Sequence, residues 1–374
     1  MENENTFNSA LKVNEGISQP EALNQAAIER LKSQKRNILP SNQYIEGILR
    51  GDIVMLSKAI TLIESSLPEH QQVAQEVIAS CLPHAGSALR LGITGVPGAG
   101  KSTFIEALGM YLTQKGHKIA VLAIDPSSQR SKGSILGDKT RMEQLANHPN
   151  AYIRPSASAG TLGGVARKTR ESIILCEAAG FDTLFVETVG VGQSETAVHS
   201  MVDFFLLILI SGAGDELQGI KRGIMEMADG IVVNKADGDN IQRANRAKAE
   251  CENALHLFPS AESGINPKVL TCSSLENSNI DGVWQMITDF ISATRENGFL
   301  EHKRLSQAVA IMHDSIQDDL KRNFYNNLEV AKHLHEIEKE IATQKMSSYI
   351  GASKLLEIYF GSLKSNGQKK GIDQ

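Results

Sequence analysis

The chain has 374 residues, 41% of them hydrophobic and 22% charged, with a net charge of −5. That composition is globular and long enough for one large α/β domain with helical extensions, or for two domains. No long basic block supports a nucleic-acid partner or an anionic membrane surface.

The first residues, MENENTFNSALK, carry neither a charged-then-apolar signal pattern nor Arg-rich transit character, so a cytosolic protein is expected. Residues 1–85 read as an N-terminal helical arm. Leu31, Ile38 and Leu39 precede a Pro/Ser/Asn break, after which Ile45, Ile48, Leu49, Ile53, Leu56, Ile60 and Ile63 recur near helical spacing. Pro83–Ser87 marks the expected boundary.

From there the rhythm changes to short apolar runs alternating with helical stretches. Strands are predicted at Leu89–Thr94, Ile119–Ile124, Thr183–Val186, Phe204–Ile210, Gly230–Val233 and Val269–Cys272. They are apolar almost throughout rather than alternating, as a sheet covered on both faces requires, so a mostly parallel α/β domain over 86–298 is predicted. Phe204–Ile210 is the longest apolar run, far below the roughly 20 residues of a membrane span. The cysteines, Cys81, Cys176, Cys251 and Cys272, are scattered with no CxxC pair. This argues against a disulfide framework or a cysteine-rich zinc site and fits a reducing compartment. After Asp281 the chain turns helical again. In the arm 299–374, Leu305, Val309, Met312, Ile316, Leu320 and Phe324 recur every three or four residues, and a second such stretch runs from Val330 to Ile341. Packing onto the core and a dimerising arm both fit, since so long a stripe needs a second apolar surface.

The chemistry-bearing residues sit at the ends of these strands. Gly95-Val-Pro97-Gly98-Ala99-Gly100-Lys101-Ser102 matches GxxxxGK[ST] between a predicted strand and a helical run from Thr103 to Gln114. Glycines let the backbone N–H groups turn inward around phosphate oxygens, and the following helix adds its positive end. Lys101 would neutralise the β- and γ-phosphates and the Ser102 hydroxyl would ligate Mg²⁺. A chance match in a chain of this length is on the order of one in a hundred. Asn234-Lys235-Ala236-Asp237 follows a strand and fits the NKxD guanine signature. A buried Asp237 carboxylate can accept from guanine N1–H and N2 together, whereas adenine would leave it unpaired. GTP and GDP are therefore the expected ligands. Cys272-Ser273-Ser274 closes the next strand and is placed to offer backbone amides to the guanine O6.

Two further strands end in acids. Asp125 and Glu187 occupy carboxyl ends of predicted parallel strands, where ligands bind, and are candidate holders of Mg²⁺ or its waters. In Glu187-Thr-Val-Gly190, an ExxG variant of the common DxxG, the Gly190 N–H can swing to the γ-phosphate. The polar segments 125–141 and 212–221 have the composition of phosphate-sensing loops, although solvated connections have it too.

With these motifs in hand, the sequence resembles the MeaB/ArgK family of P-loop GTPases. The shared strings are GVPGAGKST at 95–103, AIDPSS at 123–128, GSILGDKTRM at 133–142, ETVGVGQSE at 187–195, SGAGDELQGIK at 211–221 and NKAD at 234–237. The resemblance implies a P-loop NTPase fold of the SIMIBI type, with helical N- and C-terminal arms, the latter forming a homodimer. It implies that Asp125, Asp138 and Glu187 lie in the metal and switch region, and that Gly190–Glu195, with Gln193, is the second switch. Ile210–Lys221, with Asp215 and Lys221, would be a third switch that passes partner contact to the nucleotide. The family acts as chaperones of adenosylcobalamin-dependent acyl-CoA mutases, so methylmalonyl-CoA mutase is the expected partner. A P-loop kinase and a nickel-insertion GTPase are the alternatives. Guanine selectivity through NKAD opposes the first. Dispersed histidines, of which His333 and His335 come nearest to a cluster, oppose the second.

Overall fold

The computed structural model describes residues 38–124, 141–155, 162–188, 194–211 and 222–370. Asp125, Asp138, Gly190, Gln193, Asp215 and Lys221 lie outside them.

Three helices lead in: α1 (Ser41–Leu49), α2 (Ile53–Glu64) and α3 (Pro68–Cys81). The apolar spacing read from the sequence runs through α1 and α2, but the structure breaks it at Gly51 and Asp52. Gly51 adopts φ +79°, a left-handed turn that glycine tolerates without a Cβ penalty. The Asp52 carboxylate then caps α2 by accepting from the Val54 and Met55 amides at 2.8 and 3.2 Å.

Strands β1 (Leu89–Gly95), β2 (Ile119–Ile124), β3 (Ala151–Arg154), β4 (Thr183–Thr188), β5 (Phe204–Ile210), β6 (Gly230–Asn234) and β7 (Lys268–Thr271) form one sheet. Its order is β3-β2-β4-β1-β5-β6-β7, and every pairing is parallel. The predicted strands are all present, with shifts of a residue or two at some ends. β3 was not anticipated: four residues at a sheet edge are too few to show a period.

The helices between strands are α4 (Lys101–Gln114), α5 (Glu143–Ala146), α6 (Leu162–Ala178), α7 (Ser194–His199), α8 (Arg222–Met227) and α9 (Ile241–Leu255). Both faces of the sheet are covered, which β5 shows by its pleat. Phe204, Leu206 and Ile208 join Phe104, Ile105 and Leu108 of α4 and Phe290 of α10 (Ile280–Glu296) in one cluster. Leu207 and Leu209 join Met225 of α8 and Ala244, Ala247 and Cys251 of α9 in another.

The chain closes with α11 (Phe299–Tyr325), α12 (Leu328–Ala342) and α13 (Ser348–Lys370). The predicted stripe on α11 is real, but it does not face the core: Leu305, Val309, Met312, Ile316 and Leu320 are all exposed. Leu300 at its start joins the core, Gln307 donates to the Val202 carbonyl at 2.9 Å, and a charge network completes the anchorage of α11. Arg304 donates from Nε and Nη2 to the two carboxylate oxygens of Asp203 at 2.8 and 2.6 Å. Its Nη2 also reaches the Ala88 carbonyl at 2.7 Å. Asp203 accepts from the Arg90 amide of β1 at 2.9 Å, and Lys303 Nζ donates to the Asp203 carbonyl at 3.0 Å. Arg90 in turn pairs with Glu177 of α6 at 2.7 Å. Asp203 is only 1% exposed, so removing its carboxylate leaves the Arg304 guanidinium without its partner. Asp203→Ala is expected to cost about 3–5 kcal/mol, the usual loss when one partner of a buried pair is deleted. Chemical denaturation measures this, and a loss below about 1 kcal/mol would show that the network does not hold the arm.

Candidate functional site

The loop after β1 is shaped by close backbone approaches. A Cβ on Gly95 would lie 2.2 Å from the Ile208 carbonyl of β5, and one on Gly100 would lie 2.7 Å from Asn234 Nδ2. Gly100 also has φ +87°, in the left-handed region, and N-caps α4 with no side-chain bond to the helix amides. Those amides are left for an external acceptor at the positive helix end. Pro97 and Gly98 form the exposed tip of the loop, Ala99 is buried, and Thr103 is exposed in the first turn of α4.

Lys101 Nζ donates to the Gly95 carbonyl at 2.8 Å. Burial pushes this ammonium below the ordinary lysine range, Glu187 and Glu195 oppose that shift, and Arg141 adds to it. Glu187, on β4, is paired with Ile93 of β1 and Ala123 of β2. It accepts from Ser102 Oγ at 3.2 Å, so the structure brings together the two metal candidates that it describes. Alongside, Thr188 Oγ1 donates to Thr94 Oγ1 at 3.0 Å, a buried cross-link between the ends of β4 and β1. Ser194 and Glu195 are buried at the start of α7.

On the other side of the loop, Asn234 ends β6, only 1% exposed. Its Nδ2 donates to the Ala99 carbonyl at 2.9 Å. Its Oδ1 accepts from the Ser274 amide at 3.1 Å and the Ser274 hydroxyl at 2.8 Å. Asp237 Oδ2 accepts from Ser273 Oγ at 2.5 Å, while Ser273 Oγ accepts the Glu276 amide at 3.1 Å. Lys235 is exposed and left-handed at φ +59°.

The turn at 272–274 corrects the reading of its amides as guanine donors. The Cys272 amide is spent on Val233 O at 3.0 Å and the Ser273 amide on Ser278 O at 3.1 Å, and the Ser274 amide goes to Asn234. An N–H already bonded in the protein gains little from a second acceptor. Ser273 instead reaches Asp237 through its hydroxyl, and Ser274 reaches Asn234 through both its amide and its hydroxyl. Sequence reasoning also missed Asn240, whose side-chain Nδ2 donates to the Lys235 carbonyl at 2.7 Å. The signal was an Asn at a helix start, three residues beyond NKAD.

A glycine-shaped loop, a carboxylate–hydroxyl pair and the Asp237 carboxylate thus converge at the carboxyl ends of β1, β4 and β6. The family model for the methylmalonyl Co-A mutase-associated GTPase MeaB matches residues 56–329. The chain belongs to the MeaB family. The GTPase ArgK of Escherichia coli is 44% identical to it over 313 residues, 84% of this chain and 95% of that protein. The mouse protein named methylmalonic aciduria type A homolog, mitochondrial, is 43% identical over 323 residues, 84% of this chain and 78% of the relative. The crystal structure of a LAO/AO transport system kinase superposes with a TM-score of 0.69 at 37% identity, covering 86% of this chain and 99% of that one. This MeaB-family protein is a P-loop GTPase that binds guanine nucleotide and hydrolyses GTP.

Gly100→Ala tests the cradle. A left-handed alanine costs about 1–2 kcal/mol, and its Cβ would press on the Asn234 amide. Affinity for GDP is expected to fall at least tenfold by calorimetric titration. Native affinity would show that the close approach does not matter.

Proposed function

We propose that this GTPase gates adenosylcobalamin loading into, and protection of, a B12-dependent acyl-CoA mutase, with methylmalonyl-CoA mutase as the partner. The observation that carries the reading is the match of residues 56–329 to a family described by its association with that mutase. The site then has definite tasks. Lys101 exchanges the Gly95 carbonyl for the β- and γ-phosphates. Ser102 and Glu187 offer hard oxygens of the kind Mg²⁺ takes alongside phosphate and water, with Asp125 and Asp138 as further candidates and the Gly190 N–H as a γ-phosphate donor. When bound, the metal would neutralise charge on the β- and γ-oxygens. Asp237, held by Ser273, accepts the two guanine donors.

The division into an N-terminal arm (1–85), a GTPase domain (86–298) and a dimerising C-terminal arm (299–374) belongs to the same proposal. An exposed stripe from Leu305 to Leu320 on a 27-residue helix calls for a second apolar surface, and a second copy of the chain supplies one. Among the described residues no helix is long and apolar enough to cross a membrane, and the cytosol is the proposed compartment.

Base selectivity is tested at Asp237. Asp237→Asn puts an amide donor where the guanine donors arrive, so GDP should bind at least tenfold more weakly and XDP more tightly. Calorimetry with GDP, ADP and XDP measures both changes. Equal affinity of the native protein for ADP and GDP would instead favour a kinase-like adenine site.

The partner is tested by turnover. Lys101 and a metal alone give slow phosphoryl transfer, and a stabilising group supplied in trans adds roughly 10³–10⁵ in rate. Turnover should be low for the isolated protein and rise when the mutase binds, with Asp215 and Lys221 transmitting the contact and Gln193 responding in the second switch. Alanine at Asp215 or Lys221 should abolish stimulation while leaving GDP binding near native. A native protein that no adenosylcobalamin-dependent mutase stimulates would end the chaperone assignment.

A further inference from the structure

The geometry points to Asn240 as a positioning residue for guanine recognition, one that holds the Lys235–Asp237 segment in its binding shape and ties it to the end of β5. This deepens the proposed reading of Asp237 and rests on it.

Asn240 stands at the N-cap of α9, where asparagine ordinarily accepts from its own helix amides. It makes no such bond. Its side chain is spent elsewhere: Nδ2 donates to the Lys235 carbonyl at 2.7 Å, and Oδ1 accepts from Ser211 Oγ at 2.6 Å. Its backbone amide donates to the Asp237 carbonyl at 2.9 Å. A residue type suited to capping has therefore been diverted to grip the guanine motif from behind.

The grip falls on the strained point of that motif. Lys235 is a left-handed non-glycine residue, a conformation that persists only where surrounding contacts enforce it. Holding its carbonyl fixes the direction in which the chain continues to Asp237. It also fixes the Lys235 stem over the phosphate loop, where Cε lies 3.9 Å from the point a Cβ on Gly100 would occupy. Asn234 secures the same segment from the front, through Ala99 and Ser274. Ser211 follows β5 directly, whose pairing with β6 runs to Ile210 opposite Asn234, so the hydroxyl anchors Asn240 to the sheet itself. The bonds act in series: Ser211 orients the amide, and the amide holds Lys235.

The consequence is a longer guanine-nucleotide residence time, read with a fluorescent GDP analogue at a temperature well below melting. Asn240→Ala should speed GDP release roughly five- to twentyfold and raise KM for GTP in proportion. Ser211→Ala should speed release less, and the double variant should release no faster than Asn240→Ala, because both residues act through one amide. Asn240→Asp separates positioning from folding. The carboxylate keeps the acceptor for Ser211 and can cap α9, but cannot donate to the Lys235 carbonyl. It should release GDP as fast as the alanine variant while melting, nucleotide-free, no lower than native. Release within twofold of native in both Asn240 variants overturns the inference, as does a double variant whose acceleration is the product of the two single ones. Were the native protein to bind ADP as tightly as GDP, the base reading of Asp237 would fail and take this inference with it.

Discussion

The carboxamide of Asn234 is where the two halves of the nucleotide site are joined. At 1% exposure, any unspent donor or acceptor on it would carry a desolvation penalty of about 1–3 kcal/mol. Its Nδ2 donates to the Ala99 carbonyl of the phosphate loop, and its Oδ1 accepts from the Ser274 amide and hydroxyl. The same turn carries Ser273, which fixes Asp237. The spacing between the Gly95–Ser102 loop and Asp237 is therefore fixed by bonds within the protein. Preorganisation of this kind favours affinity because less ordering remains to be done on binding.

The two ends of the sheet divide the remaining tasks. At the carboxyl end, Lys101, Glu187 and Asp237 emerge from loops and strand ends that the parallel topology places side by side. At the amino end, Asp203 collects Arg304, Lys303 and the Arg90 amide. That second cluster explains how α11 can be firmly seated while its apolar stripe faces away. An amphipathic helix ordinarily buries its stripe to stay attached. Here Leu300, Lys303 and Arg304 in its first turns do the attaching, supported further along by Gln307 and by longer ion pairs of Arg170 with Asp314 and Arg167 with Asp319, both at 3.7 Å. The stripe is left available.

How much of this was legible in sequence depended on the length and type of each signal. The phosphate loop and NKAD were readable because backbone conformation and donor pattern leave little choice of residue at those positions. The strands were readable because burial on both faces writes a nearly continuous apolar run. β3 was not, since Ala151–Arg154 is a four-residue edge strand. The break at Gly51 and Asp52 was masked by an apolar spacing that stays in phase across it. Within the site, the candidate ligand-binding residues were found more readily than the groups that hold them in place. Ser273 and Ser274 were noticed for their amides, which the fold spends within the protein, while their hydroxyls hold Asp237 and Asn234. Asn240 looked like an ordinary helix start. Residue type announces a cap or a donor; only the fold says which neighbour receives it.

The charge balance around Lys101 bears on the proposed pairing of nucleotide with metal. The half-buried Lys101 ammonium donates to the Gly95 carbonyl and lies in the field of Glu187 and Glu195. Those carboxylates suit a lone cation but oppose an incoming triphosphate, because like charges in a partly buried site repel strongly. Lys101 cannot offset a triphosphate and two carboxylates together. A divalent cation held by Glu187 and Ser102, as proposed, would offset that repulsion. On the proposed reading, then, tight GTP binding requires the metal for electrostatic reasons as well as for catalysis. Glu195 adds a second negative charge whose field favours the ammonium form of Lys101 against the effect of burial.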